Sequence, residues 1–337
     1  MFNIEHKLGV EVDSSYDLGE IEGLSNEQYH ASPGISSSDL KYLADKTPMH
    51  LRYKWEHHDD DGASKAFDFG TAIHTAILEF DHLYNRCIVV PSDAPRRPTD
   101  AQRDNVARWR AMQAERAALE VAGDADALAA FKKANKQKPP AESSFASVDF
   151  WANFEIEAAG RLQLTNDQWE ALDGIRKAVN ANAQCQRLFA EGGPERSFAA
   201  CIDGALVRCR PDWYHPGGLI LDVKSCQDAS PAAFAKDIAR YRYDMQAAFY
   251  LDVMRHAGFK AERFIFLAVE KTAPYAFALY TLNDDDLKAA RKEYRRLLAQ
   301  ILDCYDNDDW HGYPGVTEMI ELPGWHRKQM GGEFDGQ

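Results

Sequence analysis

Long hydrophobic runs are missing from this 337-residue sequence; the longest, Phe264–Val269, falls far short of the roughly 18 residues that cross a membrane. Met1 opens a mixed polar stretch without the apolar segment of an export signal, so the expectation is a cytoplasmic protein with no membrane association. Cysteine occurs at positions 87, 185, 201, 209, 226 and 304, and no two of them form a Cys-x-x-Cys pair. That argues against a zinc ribbon or a thiolate-held cluster. In a reducing compartment these residues read as small buried side chains, Cys201 and Cys209 foremost because they sit in strand-like runs. Gly-rich phosphate loops are lacking too, since Gly192-Gly193 and Gly217-Gly218 read as turns. No Gly-x-Ser-x-Gly elbow and no 12-residue calcium loop is present, and Glu56–Asp61, despite its histidines and aspartates, lacks regular ligand spacing and reads as a solvated loop.

Positive charge is scarce: 39 Lys and Arg face 53 Asp and Glu, for a net charge of −14. Such a balance disfavours a phosphate-rich partner unless local fields or bound cations offset it. Between Arg96 and Lys138 ten basic residues face six acidic ones, a modest patch that equally reads as a solvated helix surface.

The length allows one large domain or a domain with a helical attachment. Residues 1–30 read as irregular. Ser36-Ser37-Ser38-Asp39-Leu40 reads as a capped helix start, and a second helix is expected over Phe67–Phe80. Residues 98–137 read as two exposed helices broken near Gly123-Asp124, followed by a linker from Lys138 to Ser147. A helical stretch is expected from Asn166 to Ala190. The pattern then turns to strands, Phe198–Ile202 and Ala205–Arg210 flanking the hairpin dipeptide Asp203-Gly204, then Leu219–Val223. One long helix opened by Ser230-Pro231 should run to His256, followed by strands Arg263–Glu270 and Ala276–Leu282. Asn283 caps a last amphipathic helix to Tyr305, and the tail from 327 to 337 reads as loose. This order gives an α/β fold with a central mixed sheet flanked by helices and an N-terminal helical region.

Arg210-Pro211-Asp212 precedes Asp222-Val223-Lys224 by nine residues. Strand side chains alternate, so Asp222 and Lys224 share one face about 6.5–7 Å apart, while Leu219, Leu221 and Val223 enter a core on the other. A charged pair on an otherwise apolar strand is costly to bury without compensation, and a hard divalent cation would supply it, with Asp212 as a second carboxylate. The competing reading is a surface ion pair on a half-exposed strand. Gln246 and Tyr250 stand four apart on one helix face, either lining a groove or forming a buried stripe. His74 lies among Ala72, Ile73, Ile77 and Leu78, where it is either a satisfied core histidine or a ligand.

Pro211-Asp212…Asp222-Val223-Lys224 is similar to the core of the PD-(D/E)XK nucleases, which implies a restriction-endonuclease-like fold. Gln246-x-x-x-Tyr250 resembles the helix signature of the recombination nucleases in that superfamily, and Gly70-x-x-x-His74 their Gly-x-x-x-His motif. Tyr29-His30…Ser36-Ser37-Ser38-Asp39-Leu40 and Trp310…Gly312-Tyr313…Leu322-Pro323-Gly324-Trp325 resemble exodeoxyribonuclease VIII of phage and prophage recombination systems. The resemblance spans about 25–326 and implies one exonuclease domain over 31–326, with its catalytic core at about 166–305 and 98–137 as a helical insertion. It implies Asp212, Asp222, Lys224, Gln246 and Tyr250 as catalytic residues, and His74, Asp212 and Asp222 as metal ligands. Glu195 matches an acidic position of these nucleases, as a ligand, a water-bridged neighbour or a plain loop residue. The expected cation is Mg²⁺, with Mn²⁺ accepted because of the imidazole. The implied activity is digestion of linear double-stranded DNA from its ends, 5′ to 3′, leaving 3′ single strands. A single-strand annealing recombinase and a ring-like homo-oligomer are the implied partners. A structure-specific or nicking endonuclease, or a non-catalytic DNA-binding module, stays open as an alternative.

Overall fold

The computed structural model describes residues 7–8, 18–57 and 69–329. Ten strands occur among them: β1 (Gly19–Ile21), β2 (Cys87–Val89), β3 (Leu162–Leu164), β4 (Gly193–Pro194), β5 (Ser197–Ile202), β6 (Ala205–Cys209), β7 (Trp213–His215), β8 (Leu219–Cys226), β9 (Arg263–Glu270) and β10 (Phe277–Tyr280). The main sheet has the order β10-β9-β8-β7-β4. It is mixed, because β8 and β9 run parallel along their full length while their outer neighbours run antiparallel. A separate antiparallel sheet, β1-β5-β6, carries the hairpin, and β2 pairs with β3 in parallel.

Alternation along β8 divides the molecule. Ile220 enters one apolar cluster with Phe249, Phe264 and Phe266, covered by the helices Ser37–Asp45, Tyr243–His256 and Asp284–Asp306. Leu221 and Val223 enter a second cluster with Ile73, Leu172, Ile175 and Leu267, covered by the helices Phe69–Leu78 and Asn166–Asn180. The expected helix–sheet–helix layering is therefore present. The hairpin turn follows its sequence too: Asp203 and Gly204 both take positive φ, 51° and 88°, as the tight primed turn requires.

Several expectations are corrected. The first thirty residues are not wholly irregular, since β1 and the helix Asn26–Ala31 fall at their end, the latter closed by a Ser25–Gln28 capping box. The linker read over Lys138–Ser147 ends early, because a helix begins at Glu142 and runs to Ala158. The stretch Asn166–Ala190 is two helices, Asn166–Asn180 and Ala183–Phe189, the second capped by Asn182. The long helix from Ser230-Pro231 is also two, Pro231–Arg240 and Tyr243–His256, because Arg242 adopts φ 55°, a left-handed conformation that no helix continues through. Cys209 is buried as expected, but Cys201 points out of its strand into solvent. The two exposed helices do occur, at Asp100–Ala122 and Ala125–Ala134, with Gly123 left-handed between them. Most of Glu56–Asp61, the first two residues of the expected Phe67–Phe80 helix and the tail past Gln329 lie outside the described residues.

The Tyr243–His256 helix is buried continuously from Met245 to Met254, so the carboxylate of Asp252 needs internal partners. It accepts from Arg291 Nε at 2.6 Å, Arg291 Nη2 at 2.9 Å and the Tyr294 hydroxyl at 2.6 Å, which tie this helix to the last long one. Asp252→Ala should lower stability by roughly 2–4 kcal/mol, because it strands Tyr294 and a half-buried guanidinium. Urea unfolding with an unchanged midpoint would contradict that role.

Candidate active site

The constellation begins where a strand stops. β7 pairs with β8 only over Leu219–Leu221, so past Leu221 that edge of β8 has no strand neighbour among the described residues. The orphaned N–H of Val223 is instead taken by Asp212, whose Oδ2 accepts it at 2.7 Å. Asp212 sits in the short connection between β6 and β7, and its side chain substitutes for a ladder carbonyl. That contact fixes a carboxylate against β8 beside Asp222.

Asp222 and Lys224 share a face of β8, as strand alternation requires. The Lys224 ammonium forms an ion pair with Asp222 Oδ2, without the angular geometry of a hydrogen bond. The other oxygen, Oδ1, accepts from Gln246 Nε2 at 2.8 Å. From the opposite layer, His74 brings Nδ1 to 3.2 Å from Asp212 Oδ2. His74, Asp212, Asp222, Lys224 and Gln246 thus form a continuous chain of contacts linked through Val223. Glu195 joins through its backbone: its N–H donates to the Asp212 carbonyl at 3.2 Å, and its own φ is positive at 52°. The carboxylate of Glu195 faces a recess of about 290 Å³ lined by His74, Thr75, Glu79, Arg86 and Lys224 among others. Tyr250 lies one helical turn beyond Gln246, its ring edge-on to Phe264, and its pKa is raised by burial first and then by Tyr29, Asp222 and other neighbours that include Asp212.

Two positions escaped the sequence reading. Lys41 reaches in from the Ser37–Asp45 helix and donates to Gln246 Oε1 at 2.6 Å. The other is Tyr243, which lies beneath both ammonium groups, with Lys41 Nζ 5.1 Å and Lys224 Nζ 4.7 Å from its ring centre. A signal for Lys41 was available: it follows Ser37 by four residues, on a helix whose neighbouring Leu40 and Leu43 are buried. That helix is held by Asp39, which caps Ser36 and accepts from Trp55 Nε1 at 2.9 Å.

The electrostatics match this crowding. Burial and then Asp222 raise the pKa of Asp212 above its ordinary 3.8, against the pull of His74 and Lys224. Partial burial and then Asp212 push Glu195 up to about 7, a shift that water moderates because the carboxylate is 41% exposed. Burial works against the Lys224 ammonium, but Asp222 and Asp212 outweigh it and its pKa is raised. Lys41 has no such neighbour at contact distance among the described residues; burial and then Lys224 lower it to about 7.

Among the described residues no three His, Cys, Asp or Glu side chains converge on one point as a ready cation cage. The donors still suit a hard divalent ion, because the buried Asp222 carboxylate raises the cost of ionising the half-buried Asp212 and one buried oxygen of Asp222 lacks a proper hydrogen bond. His74, in contact with Asp212, would be a further donor.

A raised carboxylate pKa means that folding disfavours the ionised Asp212. The penalty is absent below pH 3.8, grows as pH rises, and is complete above the folded-state value. Asp212→Asn, whose carbonyl can still accept from Val223, should therefore stabilise the metal-free protein by on the order of 1 kcal/mol at pH 8. The gain should vanish near pH 4, and unfolding that gave an equal gain at both pH values would contradict the cause named here.

No curated protein matches the sequence. Among solved structures, a provisionally assigned exonuclease from Eubacterium rectale is 17% identical with a TM-score of 0.39, over 56% of this chain and 75% of its own. A phage-related exonuclease from Haemophilus somnus 129PT is 12% identical with a TM-score of 0.24, over 48% of this chain and 85% of its own. The family model "PDDEXK-like domain of unknown function (DUF3799)" matches residues 36–323, which contain the whole constellation described above. The chain belongs to this PDDEXK-like family, and its mixed sheet between helical layers is the restriction-endonuclease-like fold.

Proposed function

We propose that this protein is a metal-dependent exodeoxyribonuclease that degrades linear double-stranded DNA from its ends, with residues 31–326 as the catalytic unit. The observation that carries the reading is the meeting of Asp212, Asp222 and Lys224 at the open edge of β8, beside a polar recess. PD-(D/E)XK nucleases generally use divalent metals, and Asp212 and Asp222, with His74 and the mouth residue Glu195, are the donors we assign to one. Mg²⁺ is the proposed ion, with Mn²⁺ accepted through the imidazole. Such an ion would lower the pKa of a bound water and offset charge on the scissile phosphate.

The protein's own groups have separate tasks. Lys224, buried but kept charged by two carboxylates, is placed to orient the attacking water or to stabilise charge building on the phosphate oxygens. Gln246 fixes the rotation of Asp222 through Oδ1 and leaves Oδ2 toward Lys224. Val223 does the same for Asp212. Tyr250, one turn beyond Gln246 and electrostatically coupled to Asp222 and Asp212, is assigned with Gln246 to contact the phosphate backbone or position Lys224.

The polarity, 5′ to 3′ with 3′ single strands left for recombination, belongs to the same proposal, as do a single-strand annealing recombinase as partner and a cytoplasmic setting. A ring-like homo-oligomer around the duplex would hold DNA in spite of the net charge of −14. The test uses end-labelled linear duplex and closed circular duplex, each with Mg²⁺ or EDTA. Linear DNA should shorten from its ends only with the metal, and the circle should persist; cutting of the circle would establish an endonuclease instead. Asp222→Ala and Lys224→Ala should each lower the rate by at least a hundredfold while staying folded, and full digestion by either would refute the assignment.

A further inference from the structure

Resting on that reading, we infer that Lys41 is a positioning residue of the nuclease site, acting through Gln246 to set which atom of its amide faces Asp222. Donor and acceptor inventories of the three side chains point to this role. A lysine ammonium only donates, and a carboxylate oxygen only accepts. Gln246 lies between them with its carbonyl oxygen 2.6 Å from Lys41 Nζ and its NH₂ 2.8 Å from Asp222 Oδ1. Rotating the amide by 180° would set oxygen against carboxylate and NH₂ against ammonium, so both contacts would become repulsive. Oxygen and nitrogen of an amide are nearly the same size, so packing alone does not choose between the two orientations. The ammonium does.

Lys41 is ill suited to a merely structural place. It is half-buried, close enough to Lys224 for mutual repulsion, and among the described residues meets no carboxylate at ion-pair distance. What offsets this cost is the Gln246 carbonyl and the face of Tyr243, which Lys41 shares with Lys224. The two lysines and the ring frame Asp222 from one side, and Gln246 is the link through which Lys41 reaches it. The role differs from that of Lys224, which touches the acid directly.

The test compares Lys41→Met, Lys41→Arg, Gln246→Ala and the double variant Lys41→Met/Gln246→Ala in steady-state digestion of linear duplex with Mg²⁺. Lys41→Met should lower kcat at least tenfold with KM for DNA within about twofold, Lys41→Arg should recover part of the loss, and the double variant should be no slower than Gln246→Ala. Wild-type kcat in Lys41→Met, a loss that falls on KM alone, or multiplicative losses in the double variant would each overturn the inference. A second readout needs no catalysis. In ¹⁵N-glutamine-labelled protein the side-chain NH₂ pair of Gln246, identified by its absence in Gln246→Ala, should shift or broaden in Lys41→Met, and an unchanged pair would overturn the inference. A wild-type protein that left every duplex intact would sink the nuclease reading, whereas the amide spectrum would still decide the link between Lys41 and Gln246.

Discussion

One hydrogen bond organises the site: the N–H of Val223 donated to the carboxylate of Asp212. It exists because β7 is too short to cover β8, and a bare backbone donor inside a protein demands an acceptor. Meeting that demand with a side chain rather than a strand lets an acid sit at the sheet edge, immediately beside the next acid along β8. Everything else converges on that pair. The helix carrying His74 reaches Asp212 from one layer, and the helix carrying Gln246 reaches Asp222 from the other. The strand edge is the one place where both layers can contribute to a common point.

The same geometry explains why the charges are tolerable. Asp222 is almost wholly buried, and a lone carboxylate there would be expensive. Lys224 supplies the opposite charge from two residues along, and Gln246 supplies a neutral donor. Asp212 is less well served, since its partners are a backbone N–H and an imidazole while Asp222 opposes it. A site with two acids close together and insufficient positive charge is under electrostatic tension that a cation relieves.

The centre of this arrangement was legible in the sequence because it depends on short-range rules. Asp222 and Lys224 share a face by the two-residue repeat of a strand, and the Asp203-Gly204 turn dictated its own hairpin. The parts that were not legible depend on partners distant in the chain. Lys41 is separated from Gln246 by 205 positions, and nothing near it marks a helix lysine as inward-facing beyond its buried neighbours. The break at Arg242 escaped because arginine is an ordinary helix former and only its φ of 55° reveals the corner. That corner turns the following helix so that Gln246 meets Asp222. The helix Glu142–Ala158 was masked by Pro139 and Pro140, which end just before it. Tyr250 carried a functional signature in sequence, and in space its ring packs edge-on to Phe264 while it feels Asp222 and Asp212.

The helices Asp100–Ala122 and Ala125–Ala134 bury a single residue between them, Val106, whereas the adjoining helix Glu142–Ala158 anchors on a small cluster of Trp151, Phe154 and Ala158 against Ile88 and Val90. The pair is therefore a cantilever clamped at its root. Its residues are free of the size-matching that constrains the interior, so its length, charge and tilt can drift through evolution without disturbing the acids at the strand edge.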